Sequence, residues 1–469
     1  MTVNIQENYI IKTIKDFLHD YHENAFVVGG FLRDCLLGHV SNDVDVVVKN
    51  GSARSFSIAF SDYLQGYWVE LDSENNIYRV VFPDKSNYVD VADCVGASIE
   101  EDLLRRDFTI NAIAYDILNE KYIDVTKGAE DLKNGIIREV GKDNIVDDAI
   151  RILRAFRFKS QLGFEFSEEL KNVLKEHAML LQKTAKERIN IELIKIFAGK
   201  NTVNVLFEMD SLGLLELLVP EVSQIKKIPP NSHHHLNLFE HSIETVKHVQ
   251  KFYEEACSEV QEHLDEIVFG GCKRLSYLKF AAFLHDVGKP ATWQIEPDTG
   301  RHRFIMHDSE GAKIIVPTLK NLKFSIKQIT YIQKIIKNHI YPAGVVTSAD
   351  ASEKAYLRFY RKMDAETIDL IAVAYADRLS ALGPDISQDM IEQNINGLKL
   401  LLDGYLQQKN NMEPLPKLID GREIMQITGL SPSPELGLII NKLKEAQLSS
   451  DVNTKEEAIA FIKNISPKD

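Results

Sequence analysis

The stretch VVGGFLRDCLLGHVSNDVDVVV, residues 27–48, decides how the N-terminal part of this chain folds. A β-branched run meets two glycines, Gly29 and Gly30, then a short segment carrying Arg33, and the chain re-enters a valine run interrupted by Asp43 and Asp45. Side chains alternate along a strand, so the two aspartates share one face and Val44, Val46 and Val48 take the other. Carboxylates ~7 Å apart on one strand face can converge on a hard cation. Aspartate is disfavoured in strands, which makes the pair harder to dismiss, although a solvent-facing edge strand with incidental charge is the plainer reading. The glycines shift the balance. Backbone N–H groups at a strand-to-helix turn can approach phosphate oxygens closely, and Arg33 can then grip a phosphate chain. The combination suggests a nucleoside triphosphate held by Mg2+.

Around this stretch the chain reads as an α/β segment. Residues 8–19 have a 3.6-residue apolar period and predict an amphipathic helix. The runs AFVV, DVDVVV, YWVEL, IYRVVF and YVDVA, separated by Gly, Asn, Asp and Ser turns, predict a small and mostly antiparallel sheet ending near residue 137. From about 147 the pattern turns helical, with DDAIRILRAFRFKSQL, SEELKNVLKEHAMLLQ and AKERINIELIKIFAG. Residues 126–200 carry 15 Lys and Arg against 12 Asp and Glu, whereas the whole chain has a net charge of −14. That local surplus is what an RNA-facing segment needs when overall charge repels nucleic acid. KKIPPNSHHHLN marks a boundary near 228, and helical patterns resume to the end, with loops expected at QIEPDTGRHR and YPAGVVTSAD.

At 469 residues the chain is too long for one core. No apolar run reaches the ~18 residues of a membrane span, and the start, MTVNIQENYI, lacks the basic and apolar segments of a secretory signal. The expected location is the cytoplasm, with no membrane partner. Cys35, Cys94, Cys257 and Cys272 are scattered singly, as reduced thiols would be.

Four motifs follow one another: GGFLRD, DVD, RRDFTINAIAYD and DDAIRILRAFRF. In order and spacing they resemble the class II tRNA nucleotidyltransferases of the bacterial poly(A) polymerase and CCA-adding superfamily, over roughly residues 25–220. The resemblance implies an α+β fold: a nucleotidyltransferase palm with a mostly antiparallel sheet, then all-α neck and body, HD and tail segments. The divisions expected are 1–137, 138–228, 229–400 and 401–469. It also implies that Asp43 and Asp45 bind catalytic Mg2+, that Gly29, Gly30 and Arg33 lie at the triphosphate, and that Arg106, Arg154 and Arg157 contact the nucleotide. The mechanism such parts support is two-metal nucleotidyl transfer. The family's third motif normally opens Glu-Asp, where this chain has Asp147-Asp148.

Base choice can be reasoned from chemistry. Asp148 and Arg151 stand three apart on a predicted helix, which makes their side chains neighbours. Acceptors beside donors complement the amino group and ring nitrogen that cytosine and adenine share, and oppose the carbonyl and ring N–H of uracil and guanine. The bland alternative is a surface ion pair worth under ~1 kcal/mol. Relatives that build CCA usually insert a flexible loop before the second motif, but here YVDVADCVGASIEEDLLRRD runs almost directly into it, which resembles enzymes that add only CC. Expected partners are tRNA and CTP, with or without ATP. A bacterial poly(A) polymerase shares every one of these motifs, and a metal phosphohydrolase with an RNA-binding N-terminal half is a rival from another class.

Farther on, His241, then His285-Asp286, then Asp377 follow the order of the HD phosphohydrolase superfamily, whose four ligands hold a divalent metal. Imidazole and carboxylate ligands suit Mn, Ni, Fe or Zn. His307 and His339 are candidates for a second metal, and His233–His235 read as a loop. The segment from about 400 reads as a helical tail.

Overall fold

The computed structural model describes residues 5–39, 41–49, 51–348, 352–409, 416–448 and 451–465. These fall into two compact units, Met1–Val219 with Asn321–Lys323, and Pro220–Lys320 with Phe324–Asp469.

The first unit is built on a seven-stranded sheet. Its strands are β1 (Ala25–Val28), β2 (Asp43–Val48), β3 (Tyr67–Asp72), β4 (Ile77–Val81), β5 (Tyr88–Asp93), β6 (Ala114–Asp116) and β7 (Lys121–Ile123), in the order β3-β4-β5-β2-β1-β6-β7. Every neighbouring pair is antiparallel except β2 with β5, so the sheet is mixed and mostly antiparallel. β2 is the central strand, which removes the edge-strand reading of Asp43 and Asp45. Val44, Val46 and Val48 are fully buried on one face. On the other, Val47, Phe26, Val28 and Ala114 pack under Ile99 and Leu103, leaving the carboxylate end of β2 uncovered by that cluster. Helices Tyr9–Tyr21 and Ala53–Leu64 meet in an aromatic cluster, Phe17 standing edge-on to Phe56 at 5.4 Å and tilted against Phe60 at 5.1 Å.

Helices Ile150–Leu162, Glu168–His177, Lys186–Phe197 and Thr202–Ser211 complete the unit. β6 and β7 were not among the expected strands. Each spans three residues, too few for a period of two to stand out.

In the second unit, helices Leu238–Glu255, Arg274–Leu284, Ile326–Asn338 and Thr367–Ser380 enclose a core that includes Val246, Leu278, Ile332, Ile335 and Val373. Two expected loops are structured. Within 294–303 the chain forms a hairpin, Trp293–Ile295 against His302–Phe304, so the helical segment carries a short β-element. Tyr341–Thr347 is a helix that accommodates Pro342 in its first turn, where the missing N–H costs no helical bond; Ala349 and Asp350 of that stretch lie outside the described residues. The tail forms a small core of its own around Ile424, Ile439, Leu443, Ala458 and Ile462, while residues 410–415 lie outside the described residues. No helix among the described residues is long and apolar enough to cross a membrane.

Candidate functional site

Sheet register assembles the first constellation. Asp45 pairs across β2–β5 with Asp90, and Asp90 pairs across β5–β4 with Arg79, so one cross-strand row reads Asp45, Asp90, Arg79. Arg79 donates to both oxygens of Asp90 at 2.7 and 2.8 Å and lies over the Tyr88 ring at 3.9 Å. Asp90 was not expected. Its signal is the repeated Asp spacing of YVDVAD, which only the parallel pairing sets beside Asp45. Burial, then the charges of Asp43 and Asp90, push the Asp45 carboxyl up to about 7. A carboxylate destabilised in this way by burial and like charge is suited to a cation.

Gly29 has φ 73°, a left-handed conformation that L side chains resist, and a Cβ there would stand 3.1 Å from Asp45 Oδ2. Glycine at this position lets β1 turn into helix Gly30–Leu36 directly beside the carboxylate. Arg106 donates through Nε and Nη2 to one oxygen of the buried Asp102. Its Nη1 lies 3.7 Å from that same ideal Cβ position, on the Asp45 side of Gly29.

A hydrogen-bonded chain then ties the distant motifs together. Arg33 Nη1 donates to Asn111 Oδ1 at 2.9 Å, Asn111 Nδ2 to Asp107 Oδ1 at 3.3 Å, and Arg154 Nε to Asp107 Oδ2 at 2.6 Å. Burial opposes the charge of Asp107, yet Arg154 and the Phe108 N–H hold its carboxyl below the usual carboxylate range. Arg33, Arg154 and Arg157 all stand over the Phe158 ring, at 5.1, 5.6 and 4.3 Å. Arg157 pairs with Glu192 at 3.2 Å. Arg106 thus stands on the Asp45 side of Gly29, and Arg33, Arg154 and Arg157 gather around the Phe158 ring, cationic groups that suit a polyphosphate. Asp107→Ala leaves Arg154 without its buried partner and is expected to cost about 3–5 kcal/mol. Thermal melting checks this, and an unchanged melting temperature would remove Asp107 from the structural network.

The Asp148–Arg151 pair is not built as expected. Asp148 is not on the helix: it has extended backbone, φ −134° and ψ 90°, between helices Lys142–Asp147 and Ile150–Leu162. Arg151 Nε is 4.0 Å from its carboxylate, and Arg151 Nη1 donates instead to the Arg105 carbonyl at 2.9 Å. Asp148 accepts a two-pronged bond from Arg188, at 2.9 and 2.8 Å. The helical spacing missed this because the chain breaks its helix at Asp148 and Arg188 arrives from 40 residues away.

The second constellation comes together in the second unit. His241 Nε2 lies 3.3 Å from His285 Nε2, 3.4 Å from Asp286 Oδ2 and 3.1 Å from Asp377 Oδ1. His307 Nε2 lies 3.3 Å from His339 Nε2 and 3.2 Å from the other Asp286 oxygen, Oδ1. Each of these four imidazoles has Nδ1 against a backbone carbonyl, of Ser380, Ala282, Phe304 and Ile336 respectively. A carbonyl only accepts, so Nδ1 carries the proton and Nε2 presents its lone pair inward. Facing lone pairs at 3.3 Å repel unless a cation lies between them. Asp286 is buried, its Oδ1 faces His307 and His339, and Lys289 Nζ pairs with its Oδ2 at 2.5 Å. The donor set fits divalent metal, and these residues fall into overlapping groups able to hold one. Gly288 packs against the backbone of His307, where a Cβ would clash at 2.0 Å, and that close approach brings His307 into the group. His234, read as part of a loop, lies in a loop but stands edge-on to His241 and beside Asp377.

Three family models match the chain: the poly A polymerase head domain over residues 25–138, the probable RNA and SrmB-binding site of polymerase A over 163–226, and the HD domain over 238–382. Among curated proteins, the A-adding tRNA nucleotidyltransferase of Deinococcus radiodurans is 29% identical over 453 residues, 95% of this chain and 96% of that protein. The CC-adding tRNA nucleotidyltransferase of Thermus thermophilus is also 29% identical, over 95% of each chain. The fold is similar to that of a CCA-adding enzyme in an apo form, with a TM-score of 0.59 at 22% identity over 98% of this chain and 94% of the other. It is similar as well to the Thermotoga maritima CCA-adding enzyme complexed with tRNA, at 0.56 and 22% over 98% and 96%. With a poly A polymerase head, an RNA-binding segment and an HD domain following one another over residues 25–382, the chain belongs to the tRNA nucleotidyltransferase and poly(A) polymerase superfamily, in its HD-bearing form.

Proposed function

We propose that this protein is a cytoplasmic tRNA 3′-end nucleotidyltransferase that transfers CMP from CTP onto the tRNA terminus, with CC addition as its specificity. The observation that carries the reading is the convergence of three sequence motifs through Arg33, Asn111, Asp107 and Arg154 beside the Asp43–Asp45 strand. In this reading Asp43 and Asp45 would hold Mg2+, which when bound would neutralise phosphate charge and activate the attacking hydroxyl. Gly29 and Gly30 let the backbone approach the triphosphate. Arg33, Arg106, Arg154 and Arg157 orient it, so that the RNA 3′-oxygen attacks the α-phosphorus in line and pyrophosphate leaves. Asp148 and Arg151 stand for the base-reading edge, and the helical stretch 138–228 for the tRNA-holding surface.

CC addition is supported by the short connection between β5 and helix Ile99–Leu104, only residues 94–98. A gel of tRNAs truncated at successive 3′ positions, incubated with CTP, ATP or both, tests it. The expected product is two cytidines and then a stop, with ATP making no difference. Completion to CCA when both nucleotides are present would overturn CC specificity, a single adenosine on tRNA already ending CC would assign A addition, and a long ATP-only tail would assign a poly(A) polymerase.

In the HD segment, His241, His285, Asp286 and Asp377 would hold Mn, Ni, Fe or Zn, and Asp286 Oδ1 with His307 and His339 would hold a second ion. A cation bound there would supply an activated water for attack on a phosphoester. Lys289 and His234 line the cavity above these ligands, and Arg301 and Arg303 continue the wall outward, so an anionic phosphoester is the substrate this recess suits.

A further inference from the structure

We infer that Arg188 is a positioning residue for base selection, holding the Asp148 carboxylate in one orientation so that a base with the wrong edge meets an acceptor that cannot turn away. The inference rests on the reading of Asp148 as the group that meets the base.

Asp148 lies between two helices in extended backbone, so no helical neighbour fixes its side chain. Arg151 does not hold it, being 4.0 Å away with Nη1 committed to the Arg105 carbonyl. Arg188 does, with Nη1 on Oδ1 at 2.9 Å and Nη2 on Oδ2 at 2.8 Å. A fork on both oxygens fixes the carboxylate plane, which is otherwise broad about its terminal torsion. It uses one lone pair on each oxygen and leaves the others free to accept.

Arg188 is placed for this by its helix, Lys186–Phe197. One turn on, Glu192 of the same helix takes Arg157 at 3.2 Å, so a single helix face anchors both ends of the row that runs from Asp148 to Arg157.

Rejecting uracil or guanine depends on repulsion between their carbonyl and a fixed acceptor, because specificity is a difference between right and wrong partners. A carboxylate free to rotate relieves that repulsion and loses aim at the amino group of cytosine. Both members of the pair are part-exposed, with side-chain exposures of 54% for Arg188 and 34% for Asp148, so the pair adds little stability. Specificity and stability therefore separate in an experiment.

The test is kcat/KM for CTP and for UTP on tRNA lacking its 3′ end, with Arg188→Ala, Arg188→Lys and Asp148→Ala, alongside thermal melts. Arg188→Ala is expected to lower the CTP-to-UTP preference about tenfold, with melting within about 2 °C of the parent. Arg188→Lys, which keeps the charge without the fork, is expected to restore only part of that preference. If Asp148→Ala collapses the preference while both Arg188 variants keep it, Arg188 has no part in selection and the inference fails while the reading of Asp148 stands. If Asp148→Ala leaves the preference intact, that reading fails and takes the inference with it. Should Arg188→Ala melt much lower, the Lys variant decides: a parent-like preference in it overturns the inference, and a reduced one supports it.

Discussion

Replacing Asp43 and Asp45 together by alanine is expected to lower nucleotide incorporation at least ~1,000-fold, because electrostatic groups aimed at reacting phosphate account for losses of that order. The two share one face of the central strand, and Asp45 carries an unfavourable charge in the absence of a cation: burial, Asp43 and Asp90 raise its carboxyl to about 7. A site whose cost Arg106 and Arg79 offset only in part should not melt lower when the charges are removed. The variant is therefore expected to fold with an unchanged or raised melting temperature. The phosphoester hydrolysis proposed for the HD segment should persist at its parent rate, since none of its ligands is touched. Incorporation within tenfold of the parent would sink the assignment of this pair. Loss of both activities with a lowered melt would reveal a folding defect, and Asp45→Asn alone, which keeps the shape, then decides.

The opposite dissection is expected for Asp286→Asn. Its two oxygens face different imidazole pairs, His241 and His285 on the Oδ2 side, which Lys289 Nζ also meets at 2.5 Å, and His307 and His339 on the Oδ1 side. Exchanging one oxygen for an amide nitrogen removes an anionic ligand from the shared position. Retained divalent metal, measured by elemental analysis of dialysed protein, should fall to near zero, and hydrolysis should fall ~100-fold or more. The joint variant His307→Ala, His339→Ala should lose one metal equivalent and leave the His241, His285 and Asp377 set occupied. Equal metal content in parent and Asp286→Asn protein would dismiss the centre. Nucleotide incorporation is expected to stay at the parent level in all of these proteins.

How far the sequence could be read differs between the two sites for a physical reason. His241 and Asp377 lie on helices that the local pattern reveals, His285 and Asp286 lie in the turn that follows helix Arg274–Leu284, and the four come together as their order implied. The pinning of each Nδ1 by a backbone carbonyl was invisible, because it depends on where unrelated segments end. His234 was passed over for the same reason: a loop residue's neighbours are set by what the loop packs upon.

At the nucleotidyltransferase site, local chemistry determined more than half of the outline. A period of two places Asp43 and Asp45 on one face, and Gly29 turns where φ must be positive. The five longer strands follow from runs of β-branched and aromatic residues that favour a pleated, half-buried surface. Register, partner choice and depth were decided only by the tertiary structure. It made β2 a central strand, set Asp90 beside Asp45, threaded Asp107 between Asn111 and Arg154, and gave Asp148 to Arg188 in place of Arg151. Alternation and turn preferences act over a few residues and fix which way a side chain faces. What it meets there is settled when segments tens of residues apart bury their apolar faces together, and a sequence read locally carries no measure of that distance.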